Sequence, residues 1–223
     1  MKLYHASPVP IEGGVLNPTT KNIQLAQTAE GAQIATFTEY NDQNTPYIFA
    51  TDNPQLSMTY TVPKGLRLGN MHGCGGAEIL FMDQESLIGD PDLQGGIYSL
   101  ESESFRQIHV DGEGPIDQWV SADSFDLKNA EYVPVKSLND IMRAGVQIYQ
   151  VSDNYSANEF YEEWRKIGND PDGSQNMDFI KNSVQSGKLR WMNEERGINP
   201  VNCLEVPKAA TPIPDNKRSA PAL

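Results

Sequence analysis

The chain has 223 residues, 38% of them hydrophobic and 21% charged, with 30 Asp and Glu against 17 Lys and Arg. That length suits one domain with an appendage, and a formal net charge of −13, most of it before residue 152, disfavours generic binding to phosphate backbones. The two cysteines, Cys74 and Cys203, lack metal-ligand spacing; they read as reduced thiols of a cytoplasmic protein, with a single disulfide as the alternative. Neither a signal-peptide run at the N-terminus nor an apolar stretch of about 18 residues is present, so no membrane span is expected. Export without a cleaved signal, as for a delivered effector or toxin, stays open.

In chain order, residues 2–4 read as a short strand ending at His5, and residues 8–32, punctuated by Pro, Gly, Asn and Thr, read as loop. Residues 33–38 alternate as a strand, and the apolar run 47–50 forms another. Thr51 or Asp52 then caps a helix over 53–60 that has Pro54 in its first turn. Ser57 and Tyr60 are three apart and share a face of that helix, which directs a hydroxyl and an aromatic ring to one space. Pro63-Lys64-Gly65 is a turn, and residues 69–76 form a glycine-rich loop holding His72 and Cys74. Strands follow at 77–82, at 97–100 after a Gly95-Gly96 turn, at 104–110 and at 118–121. A strand at 131–135 carries Pro134 and belongs at a sheet edge. A helix over 137–144 and an alternating strand over 146–151 complete an α+β or mostly-β pattern.

The tail differs. Ser156 and Glu159 form a capping box, followed by Phe160, Trp164 and Ile167 on one helical face. A second helix runs over 174–185 with Met177, Ile180 and Val184 on one face, and Gly187 ends it. Both apolar stripes suit packing on the β domain better than binding a ligand. The division expected is residues 1–151 as the main domain, 152–206 as a helical extension packed on it, and 207–223 as a flexible Pro/Ala/Lys-rich tail.

Leu3-Tyr4-His5-Ala6-Ser7 resembles the first-strand His motif of ADP-ribosyltransferases. Tyr47-Ile48-Phe49-Ala50 followed by Ser57-Met58-Thr59-Tyr60 is similar to the second motif of the poly-ADP-ribose-polymerase-like branch, with about one extra residue between Ala50 and Ser57. Residues 96–100, Phe105 and Gln118-Trp119-Val120-Ser121 resemble later strands of small bacterial or phage members. The resemblance covers roughly residues 2–151. It implies an α+β fold built on a split, mostly antiparallel sheet, with NAD as substrate and cleavage of the nicotinamide–ribose bond. By the same resemblance His5 bonds ribose hydroxyls, the backbone of Ala6 and the hydroxyl of Ser57 hold the nicotinamide amide, Tyr60 stacks on the ring, and Tyr47 forms the opposite wall. The third-motif position, where the family places an acid that steadies the oxocarbenium-like transition state, is Gln118 here. Asp117, reachable by a shift of one residue in register, and Glu113 are the alternates.

Taken singly these residues have plainer readings. A histidine near a first strand is commonly structural, a helix tyrosine is commonly a core aromatic with a wet hydroxyl, and Gln118 beside Trp119 is by default a strand polar residue. A non-catalytic NAD-binding or interaction module of the same fold is therefore one alternative, marked by the missing charge at Gln118. A Cys74/His72 hydrolase or transferase is another, although two positions on a loop do not make a dyad. His5, His72 and His109 have no zinc spacing, so no metal is expected, and the Asp90-Pro91-Asp92 and Asp170-Pro171-Asp172-Gly173 segments read as turns rather than calcium loops. The expected partners are NAD and a protein or small-molecule acceptor, with residues 152–206 available to a protein partner, nucleic acid disfavoured and no membrane involved.

Overall fold

A computed structural model describes residues 1–19, 24–27, 33–36, 46–73, 77–83, 92–101, 103–110, 114–167, 170 and 173–198. The chain opens with β1 (Lys2–Ser7), a short 3-10 turn at Glu12–Gly14, β2 (Val15–Leu16), β3 (Gln24–Gln27), β4 (Gln33–Thr36) and β5 (Ile48–Ala50). Then come α1 (Pro54–Thr59), β6 (Arg67–His72), β7 (Glu78–Met82), β8 (Gly96–Glu101), β9 (Arg106–Val110) and β10 (Gly114–Ser121). The remainder is β11 (Phe125–Asp126), β12 (Tyr132–Pro134), α2 (Leu138–Arg143), β13 (Gln147–Val151), α3 (Ala157–Arg165), α4 (Ser174–Gln185), β14 (Leu189–Trp191) and α5 (Met192–Glu195). The class is α+β with mostly antiparallel pairing; among the described residues β7 with β13 and β4 with β9 are the parallel pairs.

Among the described residues the strands form sheets ordered β1-β8-β12, β3-β4-β9-β10-β5, β11-β2 and β14-β13-β7-β6. The first two meet through one bridge, in which Tyr4 and Thr51 exchange both backbone hydrogen bonds at 2.7 and 3.0 Å. β7 is buried at all five positions and so is β13, because helices cover both faces of that sheet. Alternation sends Leu80 and Met82 toward α2, against Leu138, Ile141 and Met142. The intervening Ile79 and Phe81 point the other way, against Phe160, Met177 and Ile180 of α3 and α4. The two tail stripes therefore pack on the sheet.

Several expectations are corrected. The 8–32 loop contains β2, and β3, which pairs with β4; β1 runs on to Ser7 rather than stopping near His5. The glycine-rich segment from Gly69 starts as strand, since β6 reaches His72 against β7. β13 does not alternate in burial, being a central strand. Gly95 and Gly96 serve close approach rather than a turn: a Cβ at Gly95 would sit 2.1 Å from the Ser7 carbonyl, and one at Gly96 would sit 2.4 Å from the Tyr132 ring. α1 is capped by neither Thr51 nor Asp52. Asn53 caps it, its Oδ1 accepting from the N–H groups of Gln55 and Leu56 at 3.0 and 3.1 Å. Pro54 at the first helical position fixes this, because the cap is the residue before it. Finally, β14 from the extension pairs with β13 of the main domain, so that sheet runs across residue 151.

Candidate functional site

Where β1 and β5 part beyond the Tyr4–Thr51 bridge, a cleft of about 410 Å³ opens. His5, Ala6, Ser57, Tyr60 and Gln118 all line it. β1 carries His5, whose Nδ1–H donates to the Phe49 carbonyl at 2.7 Å across the gap between the strands. That bond selects the tautomer in which Nε2 of the neutral ring is the acceptor nitrogen. Ala6 presents its backbone to the same edge of β1 as Tyr4 does, the edge toward the parting strand.

α1 supplies the second wall. Ser57 is 0% exposed, and its Oγ has no hydrogen-bond partner. The neighbouring buried hydroxyls are satisfied locally: Thr59 donates to Leu56 O at 2.8 Å and Thr61 to Met58 O at 2.7 Å. Ser57 is thus the one of these three aimed at nothing in its own helix, and a buried polar group without a partner is destabilising unless something else bonds it. Tyr60 closes α1 as its C-cap and is half-buried. Burial holds its phenol pKa above the ordinary value, opposed by the Arg67 charge and by a hydrogen bond with the Asn70 side chain. Arg67 stacks on the ring, its guanidinium carbon 4.5 Å from the ring centroid. A ligand stacking on Tyr60 uses the face opposite Arg67 or displaces the guanidinium.

Gln118 comes from β10, within an irregular stretch where the pairing with β9 shifts register between Pro115 and Trp119. It is half-buried, while Asp117 beside it is exposed and outside the cleft lining, as alternation along a strand requires. Asp117 instead acts on His72, whose pKa is raised chiefly by its hydrogen bond to Glu78 and further by the charges of Glu78 and Asp117. Glu113 lies outside the described residues. Tyr47 does not face Tyr60 across the cleft; it lines an adjoining cavity of about 370 Å³ that shares His5, Ala6, Pro8 and Phe49 with the cleft.

Lys64 and Arg67 complete the lining, and no motif singles them out. Their one signal in the sequence is that two bases stand three apart directly after the helix, in a half of the chain where bases are scarce. Among the described residues no acid lines the cleft. His72 is held by Glu78 at 2.8 Å, and Cys74 lies outside the described residues. Among the described residues no group of three or more His, Cys, Asp or Glu could hold a metal ion, and no helix is long and apolar enough to cross a membrane. Asp170 accepts from the Asn176 N–H at 2.7 Å and serves the start of α4. No family model matches the chain, and no match is found among curated proteins or solved structures.

Proposed function

We propose that the protein is an ADP-ribosyltransferase-like protein that binds NAD in the cleft between β1, β5, α1 and β10. The observation that carries the reading is the buried Ser57 hydroxyl without a partner, in a cleft also lined by His5, Tyr60 and Gln118. A nicotinamide carboxamide accepts the Ser57 O–H, the Tyr60 ring stacks on the pyridinium, and the His5 imidazole bonds ribose hydroxyls. In the reaction the bond between C1′ and the nicotinamide nitrogen breaks, its electron pair leaves with neutral nicotinamide, and a nucleophile of the acceptor, a protein or small molecule, attacks C1′. The acceptor's proton goes to a base.

A second reading is favoured by the charge of the same cleft. An oxocarbenium-like transition state gains from a nearby carboxylate, yet Gln118 is neutral and, among the described residues, the charged lining residues are Lys64 and Arg67. On this reading the cleft binds NAD and cleaves it slowly or not at all. Incubation with NAD and measurement of nicotinamide release separates the two. Release abolished by His5→Ala and Tyr60→Ala supports the transferase. Saturable NAD binding without release, weakened by the same substitutions, supports the binding module; no NAD binding sinks both. Gln118→Glu restores the missing charge and is expected to raise release about 100-fold, the scale on which one preorganised polar partner acts.

A further inference from the structure

Arg67 has a place in the cleft that the nicotinamide end of NAD does not explain. It starts β6 at an irregularity, where the pairing with β7 shifts register between Arg67 and Gly69. Such irregularities re-aim a side chain. A guanidinium carries five N–H donors, yet among the described residues Thr59 O at 3.4 Å is its one hydrogen-bond acceptor and no carboxylate pairs with it. Some other cations among the described residues do have a carboxylate partner, as Lys2 has Glu131, Lys188 has Glu163 and Arg190 has Glu195. Burial lowers the Arg67 pKa, and Tyr60 and Tyr161 act in the opposite direction. The guanidinium nonetheless stays charged at physiological pH.

The chain carries 30 acids against 17 bases, so a cleft with a basic lining runs against its net charge. Among the described residues this cleft has Arg67 within, Lys64 at its exposed end and no acid in its lining. A half-buried cation without a counter-ion is destabilising in the empty protein. The unpartnered Ser57 hydroxyl in the same cleft points independently to a ligand. A planar fork matches two phosphoryl oxygens, and an ammonium adds a point charge beside them.

We propose that Arg67 and Lys64 form an anion subsite and that the cleft takes a phosphorylated nucleotide, held by its phosphate or pyrophosphate group, rather than a nucleoside or a free base. The subsite rests on the NAD reading only for the identity of the nucleotide, in which a pyrophosphate joins the two ribosides. Titration calorimetry at fixed ionic strength tests it with NAD, ADP-ribose, inorganic pyrophosphate and nicotinamide riboside, against the wild type, Arg67→Gln and Arg67→Lys. The wild type should bind NAD and ADP-ribose about 10- to 100-fold tighter than the riboside. Arg67→Gln should remove that advantage, weakening NAD and ADP-ribose far more than the riboside, and Arg67→Lys should recover part of it. Added salt should weaken NAD binding and spare the riboside. Equal binding of NAD and riboside by the wild type overturns the subsite and leaves the nicotinamide reading standing. Binding of ADP-ribose and pyrophosphate without NAD upholds the subsite and overturns that reading. Binding of no phosphorylated ligand overturns the subsite. The wild-type ligand series needs no variant, so it decides the matter even where Arg67→Gln fails to fold.

Discussion

At the scale of single residues, the Ser57 hydroxyl separates structure from function. If its O–H is kept for a ligand, removing it relieves an unsatisfied buried group. Ser57→Ala should then leave the unliganded protein within about 1 kcal/mol of wild-type stability, or slightly above it. Free nicotinamide should bind Ser57→Ala about 5- to 10-fold more weakly, the worth of one hydrogen bond. A melting temperature lower by more than about 4 °C would show that Oγ serves the fold, and the argument from its lack of a partner would fail. His5, Ser57, Tyr60 and Gln118 were legible because each belongs to a short motif. Arg67 and Lys64 were not, because a counter-ion's absence is a property of surroundings assembled from β5, β6 and β10, and a string of residues does not display it. Tyr47 lines the adjoining cavity together with its bridge partner Thr19, a pairing distant in sequence that the motif does not display.

Among the elements, α1 is tied to the neighbouring sheet by a buried carboxylate. Glu78, 0% exposed, accepts from Asn53 Nδ2 at 2.7 Å and from His72 Nδ1 at 2.8 Å, both on Oε1. Asn53 thus caps α1 and pins it to β7 at once. The His72 side chain is 57% exposed, so the imidazole titrates in contact with solvent. Its folded pKa is raised above 6.5 by Glu78 first and by Asp117 in addition. A raised value means that the protonated form is favoured by folding. The resulting stability is fully present below pH 6.5 and is lost as pH rises through the folded value. The melting temperature of the wild type should therefore fall over that interval, by the equivalent of about 1 kcal/mol or less given the exposure. His72→Gln should be flat there; equal slopes for the two proteins would refute the linkage. This tie was hidden in the sequence because His72 reads as part of a glycine-rich loop, whereas pairing with β7 extends it as strand. The capping boxes of α2 and α3 are local in sequence. Ser156 with Glu159 was legible for that reason, and Ser137 with Asp140 follows the same three-residue spacing.

For the whole molecule, the question is whether the tail is an appendage or part of the fold. The change in composition near residue 151 suggests a boundary, but β14 hydrogen-bonds β13 from the far side of it. Asn193, 0% exposed, then reaches back about a fifth of the chain: its Oδ1 accepts from Ile148 N–H at 2.7 Å and its Nδ2 donates to Val146 O at 3.0 Å. Such long-range satisfaction leaves no periodic trace in a sequence, so an asparagine in a polar tail looks like any other. Its removal strands two buried backbone groups, each costing about 1–3 kcal/mol. Asn193→Ala should therefore lower the melting temperature by roughly 5–15 °C. The cluster around Met192 also contains Val62, which lines the cleft, so the tail's core and the cleft wall share side chains. Loss of Asn193 should then shift one cooperative transition, with far-UV circular dichroism and ligand protection of the cleft lost together. If the variant instead melts in two steps, with the cleft retaining its ligand through the first, the tail is an independent unit and the boundary at residue 151 is physical rather than compositional.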